Sequence, residues 1–121
     1  MGTAPDSERL KGNLDLLLLS VLSTSPAHGY AVIAALRHGS GGTFDLPEGT
    51  VYPALHRLER DGLLDAVWQR GPDGAGRRRK VYAITAAGAA ALAAERAGWE
   101  RFTRGVGAVV GSALRAPGAP A

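Results

Sequence analysis

The sequence contains no cysteine and three histidines. The absence of cysteine excludes disulfide bonds and thiolate metal sites, and it suits a reducing compartment such as the cytoplasm. His28, His38 and His56 have no metal-ligand spacing relative to one another. We therefore expect neither a metal site nor a cofactor.

Long hydrophobic runs are also missing. The leucine-rich stretch 14–22 is too short to span a bilayer, which takes about 20 apolar residues. Arg9 and Lys11 before it imitate the start of a secretory signal. However, Asp15 and Ser20 interrupt the apolar run, and no small-residue cleavage site follows it closely. We expect a cytoplasmic protein that does not enter a membrane.

The sequence also lacks a catalytic constellation. Ser20, Ser23 and Ser25 have no histidine and aspartate partners in a recognisable pattern. Glu59 and Asp61 do not form the pattern of a buried carboxylate pair. An enzyme is therefore not expected.

The net positive charge is small, and basic residues are concentrated in one segment. The net charge is +3 over 121 residues, whereas segment 70–80 carries five basic residues and one acid, Asp73. Such a cluster attracts polyanions, although an arginine run can also be a solvated surface. Because a helix with outward polar side chains precedes the segment, we favour nucleic acid as the partner.

The length allows one small domain. Hydrophobic periodicity predicts four helices and one hairpin. The ends, residues 1–10 and 115–121, are predicted to be a flexible N-terminus and a flexible tail, the latter rich in glycine, proline and alanine.

The first helix is predicted from about Lys11 to Leu22, because Pro26 disfavours helix at the residue before it. Its leucines cover almost the whole circumference, with one stripe formed by Leu14, Leu17, Leu18 and Val21, and further leucines at positions 16 and 19. A helix that is apolar nearly all round must be buried on two sides. Either it is a central core helix, or one stripe packs in its own domain and the other against a second subunit.

The second helix is predicted from about Ala27 to His38, and Ser40 with two glycines ends it. The segment Thr43–Leu46 is predicted to form a small strand that pairs with the hairpin. His28, at the helix start, is interpreted as a structural hydrogen-bonding group rather than a ligand or a base.

The start of the third helix has two alternatives. Pro47 and Glu48 suit the first positions of a helix, but Pro53 would then lie in the interior and kink it. A start at Gly49 or Thr50 places Pro53 in the first turn, where it is tolerated. We favour the later start.

Helical periodicity gives the third helix two faces. Val51, Leu55 and Leu58 share the inward face. The side chains off that face, which can meet a nucleic acid, are Thr50, Tyr52, His56, Arg57 and Arg60. Tyr52 either contacts the sugar-phosphate backbone or covers the junction between the second and third helices.

A hairpin follows the third helix, and we call it the wing. Gly62 supplies the positive φ that commonly ends a helix. Leu64, Ala66 and Trp68 then alternate as in a strand, and the second strand is predicted over Arg79–Thr85 after a glycine-rich loop.

Thr85 is expected to cap a fourth helix, residues 86–114. From Leu92 onward its apolar residues follow a heptad, with Leu92, Trp99, Val106 and Ala113 at one position and Phe102 and Val109 at the other. A stripe of two in seven is the seam of a packed helix pair, whereas the glycines at 105, 107 and 111 weaken the helix or allow close approach. This part of the helix has no core of its own to cover.

Six segments carry a family resemblance. They are Asn13-Leu-Asp-Leu-Leu-Leu-Leu19, His28-Gly-Tyr30, Glu48-Gly-Thr-Val-Tyr-Pro-Ala-Leu-His-Arg-Leu-Glu59, Asp61-Gly-Leu-Leu64 with Trp68, Arg78-Arg-Lys-Val-Tyr82 and Thr85-Ala-Ala-Gly88. In this order and spacing they resemble the PadR family of bacterial transcription regulators, in its subgroup with a short C-terminal helix, over nearly the whole folded chain. The resemblance implies an α+β, mainly helical fold. A winged helix-turn-helix domain would cover residues 11–85, and a C-terminal dimerisation helix, residues 86–114, would pack against the first helix.

Residues and resemblance together predict three sites. DNA binding is predicted for Thr50, Tyr52, His56, Arg57, Arg77, Arg78, Arg79 and Lys80. The dimer interface is predicted to contain Leu14, Leu18, Trp99, Phe102, Val106 and Val109. In family members that sense drugs or phenolic compounds, an aromatic at this point of the helix can line a central pocket. The resemblance thus implies an effector pocket with Trp99, Leu16 and Phe102, although Trp99 at a heptad seam can equally be packing.

The sequence therefore predicts a homodimeric repressor that binds a palindromic operator in duplex DNA and is released by a small aromatic or phenolic effector. The alternative is a winged-helix protein-interaction module without sequence-specific DNA binding. Steep salt dependence on duplex DNA, together with sequence preference, distinguishes the first from the second.

Overall fold

The computed structural model describes residue 10 and residues 12–70 and 78–114. The elements follow in the order α1 (Leu14–Thr24), β1 (Ala27–His28), α2 (Gly29–Gly39), α3 (Glu48–Arg60), β2 (Leu64–Arg70), β3 (Arg78–Ile84) and α4 (Ala86–Leu114). Helices α1 to α3 pack around an apolar core, and the strands form an antiparallel sheet beside them. This α+β, mainly helical arrangement is the predicted winged helix-turn-helix fold.

Helix α1 lies at the centre of the core. Leu18, Leu19 and Leu22 are at most 2% exposed. Leu14 and Leu17, on another side of the helix, are half-buried. The helix therefore packs into its own domain on one side and keeps an apolar, partly open surface on the other.

The bounds of α1 differ from the prediction at both ends. The helix begins three residues after Lys11, because Gly12 has φ +86°, which a right-handed helix cannot accommodate. It continues to Thr24, since Pro26 moves only Ser25 into extended backbone, with φ −169° and ψ 156°.

The third strand of the sheet precedes α2. Ala27 pairs with Tyr82 and His28 with Val81, so the strand order is β1-β3-β2. Helix α2 therefore starts at Gly29, two residues later than predicted. The Ala31 N–H donates to His28 Nδ1 at 3.4 Å, which confirms His28 as a structural hydrogen-bonding group.

The predicted strand over Thr43–Leu46 is wrong. This segment has no regular secondary structure. The Phe44 N–H donates to Ser40 Oγ at 2.8 Å, so the backbone turns back on the end of α2 instead of joining a sheet. Leu46 then enters the core, where it is buried.

Helix α3 begins at Glu48 with Pro47 at its N-cap, so the predicted later start is wrong. Pro53 lies inside the helix and cannot donate to the carbonyl of Gly49 four residues earlier. Both residues are exposed, and water can bind that carbonyl. The structure therefore accommodates the interior proline on the solvent side of the helix.

The predicted inward face of α3 is confirmed. Val51, Leu55 and Leu58 are fully buried, and Ala54 joins them at 6% exposure. Four apolar residues thus fix the rotation of α3 about its axis against the rest of the core.

A set of short contacts joins the end of α3, the wing and α4. Gly62 has φ +81°, as predicted for the residue that ends the helix. Thr85 donates its N–H to the Leu63 carbonyl at 3.1 Å and its hydroxyl to the Gly62 carbonyl at 2.8 Å. The Gly88 N–H donates to Thr85 Oγ1 at 3.0 Å, which confirms Thr85 as the cap of α4. Gly88 itself lies so close to the Leu63 carbonyl that a Cβ there would overlap it.

The wing consists of β2 and β3 in a regular antiparallel register from Leu64↔Ile84 to Arg70↔Arg78. The predicted second strand is confirmed, one residue earlier at each end. Trp68 pairs with Lys80, so these two side chains share one face of the wing. The loop between the strands, with the predicted DNA ligand Arg77, lies outside the described residues.

Helix α4 leaves the domain after its first third. Leu92 is 5% exposed and packs in the core. Beyond it, the heptad residues Trp99, Phe102, Val106 and Val109 are between 40% and 71% exposed. The described residues leave this seam exposed, as expected from the sequence.

The junction at Gly88 gives a stability prediction. We expect Gly88→Ala to lower the free energy of unfolding by about 1–3 kcal/mol, the usual effect of overpacking. The added Cβ meets the backbone carbonyl of Leu63, which cannot rotate aside as a side chain would. Urea denaturation followed by circular dichroism measures the change.

Gly49→Ala is the matched control, because no described atom lies within 4 Å of a Cβ placed at Gly49. There the same substitution should stabilise the protein by up to about 1 kcal/mol through helix propensity. A Gly88→Ala protein as stable as Gly49→Ala would show that the close approach is not a constraint.

Candidate nucleic-acid interface

The solvent side of α3 is centred on residues 49, 53, 56 and 60. Each follows the one before it by three or four residues, which is about one helical turn. His56 and Arg60 are exposed there, and Thr50 is exposed at the first turn. This surface is open along the helix because Gly49 and Pro53 add little bulk. It can enter a groove about as wide as a helix.

Tyr52 lies at one edge of this surface and packs against α2. Its ring rests on Gly29, where a Cβ would overlap it. The Tyr30 ring meets it edge-on, with centroids 6.3 Å apart at 83°. Burial raises the pKa of the Tyr52 hydroxyl, and Tyr30 and Glu48 add to the shift. Of its two sequence-based alternatives, the structure places Tyr52 over the junction of α2 and α3, with a hydroxyl that remains a donor.

Arg57 lies at the opposite edge of α3 and forms a bidentate ion pair with Asp15 of α1. Arg57 Nη1 donates to Asp15 Oδ2 at 3.0 Å, and Nη2 donates to Oδ1 at 2.6 Å. This hydrogen bonding raises the pKa of the Arg57 guanidinium. A carboxylate therefore holds the guanidinium of Arg57 in the free protein, and the DNA-binding role of Arg57 stays a prediction.

Lys80 is also engaged within the chain. Its Nζ lies 2.8 Å from Glu59 Oε1 on α3, and this hydrogen bond raises the pKa of Lys80. The ammonium also lies 5.4 Å from the centre of the Tyr82 ring. Lys80 therefore joins the wing to α3 in the free protein, and its role as a phosphate ligand stays a prediction.

Arg70, Arg78 and Arg79 are exposed cations of the described part of the wing, and Arg78 and Arg79 are the two among them that were predicted to bind DNA. Arg78 lies with its guanidinium carbon 5.9 Å from the centre of the Trp68 ring, and Trp68 is 59% exposed. Arg79, on the other face, has Nη1 3.2 Å from His28 Nε2. The two arginines therefore point to opposite faces of the wing, each beside an aromatic ring.

The predicted dimer residues fall into two groups. Trp99, Phe102, Val106 and Val109 form an exposed apolar stripe on α4, to which Val110, 49% exposed, also belongs. Leu14 is half-buried. Leu18 is completely buried in the core of its own chain, so its placement in a dimer interface is corrected.

The predicted effector residues are also divided. Trp99 and Phe102 lie side by side, with ring centroids 6.0 Å apart, and line a shallow hollow together with Asn13, Glu95 and Gly98. Leu16 is 8% exposed and packs in the core, so its assignment to the pocket is corrected. The hollow is open to solvent, and it is formed by one side of α4 and by Asn13, the residue just before α1.

Within the described ranges, no group of three histidine, cysteine or acidic side chains could hold a metal ion. In the same ranges, no helix combines the length and the apolar character needed to cross a membrane.

Several residues of this surface were missed from the sequence. Asp15 and Glu59 neutralise two of the predicted cations, and Tyr30 and Trp68 extend the exposed aromatic surface. The alternation of side chains along paired strands could have shown that Trp68 and Arg78 share one face of the hairpin and that Arg79 lies on the other. The two ion pairs had no local signal, because Asp15 precedes Arg57 by 42 residues and Glu59 lies on a different element from Lys80.

Comparison with known proteins gives a consistent result. Residues 18–94 match the model of the Transcriptional regulator PadR-like family. The chain is similar to Transcriptional regulator Rv3488 of Mycobacterium tuberculosis, with 42% identity over 92 residues, which cover 75% of this chain and 79% of that protein.

Solved structures show the same similarity. A PadR family transcriptional regulator from Eggerthella lenta has a TM-score of 0.72 and 34% identity, covering 85% of this chain and 86% of that one. A PadR-like transcriptional regulator from Bacillus cereus has a TM-score of 0.75 and 26% identity, covering 87% and 98%.

Proposed function

The chain belongs to the PadR-like family of transcriptional regulators, and we propose that it acts as a homodimeric repressor that binds a palindromic operator. Members of this family regulate transcription by binding DNA and are not enzymes. The observation that carries the proposal is the exposed face of α3 beside a wing whose described part presents exposed arginines at positions 70, 78 and 79. Because its target is the chromosome, we place the protein in the cytoplasm.

On this proposal α3 enters the major groove. Thr50, His56 and Arg60 are the exposed side chains that would reach base edges, each offering hydrogen-bond donors. Tyr52 would donate its hydroxyl to the phosphate backbone at the edge of the groove. Arg78 and Arg79 of the wing, together with Arg77, would neutralise phosphates.

The direct test is DNase I footprinting of the purified protein on the DNA upstream of its own gene. A protected site with two-fold symmetry supports the proposal. Binding without any sequence preference, or no binding to duplex DNA, favours instead a winged-helix module that recognises protein.

Dimerisation is proposed through the apolar stripe of α4. Five large apolar side chains from Trp99 to Val110 are exposed on this helix. An exposed stripe with heptad spacing is characteristic of helices that pack in pairs. Leu14 and Leu17 are half-buried on the partly open side of α1, a helix that packs against α4, and on this proposal they extend the interface.

The hollow beside Trp99 is the proposed effector site. In a two-fold dimer the stripe would bring two copies of Trp99 near each other, and two indole faces could hold a planar ligand by stacking. Glu95 lines the same hollow and favours a ligand with positive charge. A ligand that separates the two α4 helices would change the spacing of the two α3 helices and favour the state that fits DNA poorly.

We expect Arg78→Ala and Arg79→Ala to weaken binding to operator and random duplex DNA alike. Each lost phosphate contact should reduce the slope of log K against log salt by about 0.9. Fluorescence anisotropy at several salt concentrations measures the slope. Arg96→Ala, an exposed arginine on α4, is the control for the loss of one charge. An unchanged slope in both wing variants would remove the wing from the interface.

We expect Val106→Asp to dissociate the dimer, because it places an unpaired carboxylate in an apolar seam. Burying that charge costs several kcal/mol of association free energy. Sedimentation velocity at micromolar concentration measures the change in mass. Ala108→Asp introduces the same charge in the same turn on the opposite side of α4, and it should remain dimeric. A wild-type protein that sediments as a monomer would contradict the proposed dimer.

We expect planar aromatic cations or phenolic acids to quench the fluorescence of Trp99. The titration uses Trp68→Phe as background, so that Trp99 is the remaining tryptophan. A ligand that quenches Trp99 should also weaken operator binding. If no compound of either class quenches while operator binding stays intact, Trp99 is a packing residue of the dimer seam.

A further inference from the structure

Two cations at the candidate DNA surface are held by carboxylates of the same chain. Asp15 of α1 binds Arg57, and Glu59 of α3 binds Lys80. Lys80 lies on β3 opposite Trp68, and its ion pair with Glu59 joins the wing to α3. Arg57 is different, because it lies on the edge of the helix whose solvent face would enter the groove.

The Arg57–Asp15 pair is well formed and yet accessible. Both guanidinium–carboxylate hydrogen bonds are short, at 3.0 and 2.6 Å. The Arg57 and Asp15 side chains are 43% and 36% exposed, so another anion can approach the guanidinium from solvent. Asp61, at the end of α3, adds a weaker attraction that also raises the pKa of Arg57.

We propose that Asp15 is a specificity-determining residue that limits binding to non-cognate DNA. In the free protein it neutralises Arg57, and in a DNA complex a backbone phosphate takes its place on the guanidinium. The inference rests on the proposed function, since it requires α3 to lie in the groove with its edges towards the phosphates.

The exchange is physically feasible. A guanidinium fork binds carboxylate and phosphate with the same two-bond geometry. Partly exposed ion pairs contribute little net free energy, so the pair with Asp15 can be given up when a phosphate is close by. The contact with DNA is then weaker than one made by a free arginine, because the bond to Asp15 must be broken first.

The released carboxylate also alters the salt dependence. Each phosphate that is neutralised releases counterions, which makes binding sensitive to salt. Asp15 without its arginine attracts a salt cation and offsets part of this release. Wild-type protein should therefore gain less affinity at low salt, where non-specific binding is strongest, than a protein in which position 15 is neutral.

The test compares Asp15→Asn with Asp45→Asn on a random-sequence duplex of about two helical turns, by fluorescence anisotropy. Asp45 forms a partly exposed pair with Arg37 at 3.7 Å, so the control removes the same charge from another Arg–Asp pair. We expect Asp15→Asn to bind about fivefold more tightly than Asp45→Asn, the factor that corresponds to the upper range for a partly exposed pair. Its salt slope should be steeper by up to about 0.9.

The gain must depend on Arg57. In an Arg57→Ala background, Asp15→Asn should bind no more tightly than Asp45→Asn in that background. Equal affinities of the two single variants, or a gain that persists without Arg57, would overturn the inference. If wild-type protein binds no duplex at all, the proposed function itself fails, so the two failures are distinguishable.

A measurement on wild-type protein keeps the inference testable if Asp15→Asn does not fold. The guanidinium nitrogen resonances of Arg57, assigned by comparison with Arg57→Lys, should shift when the same random duplex is added. Resonances that stay unchanged at saturating duplex would mean that Arg57 never leaves Asp15.

Discussion

The close approach of Gly88 to the Leu63 carbonyl is the constraint on which the rest of the arrangement depends. At this point the end of α3, the start of β2, the end of β3 and the first turn of α4 meet within a few residues. Thr85 binds both Gly62 and Leu63 through its hydroxyl and its N–H. The helix that would read DNA and the helix that would form the dimer therefore share one rigid joint. Their relative direction follows from the backbone hydrogen bond of Thr85 to Leu63, from the two hydrogen bonds of the Thr85 hydroxyl, and from the close contact at Gly88.

The features that were predicted from the sequence are those with a local cause. The inward face of α3 follows from the spacing of Val51, Leu55 and Leu58, and the end of that helix follows from the positive φ of Gly62. The cap at Thr85 is equally local. The two-residue strand Ala27–His28 was missed because its partner on β3 defines it, and two residues are too few to show an alternation.

The candidate site was predicted less completely than the fold, for a related reason. The sequence indicates which cations lie near the DNA surface, but not what holds them. Arg57 and Lys80 are each paired with an acid on another element, and no spacing along the chain indicates such pairs. The start of α3 was misplaced because an interior Pro53 is unfavourable in general, whereas here it lies on an exposed side beside Gly49.

The length of α4 has a mechanical consequence. The helix has 29 residues, and its buried contacts with the described core end near Leu92, so the remaining part extends as a rod in the direction set by the joint at Gly88. Gly88 and Trp99 are separated by about 16 Å along the axis at 1.5 Å per residue. A tilt of about 10° at Trp99 would therefore displace the joint at Gly88 by roughly 3 Å. Because α3 is fixed to that joint, a small tilt of α4 at Trp99 becomes a shift of α3 that is comparable to the rise of one base pair.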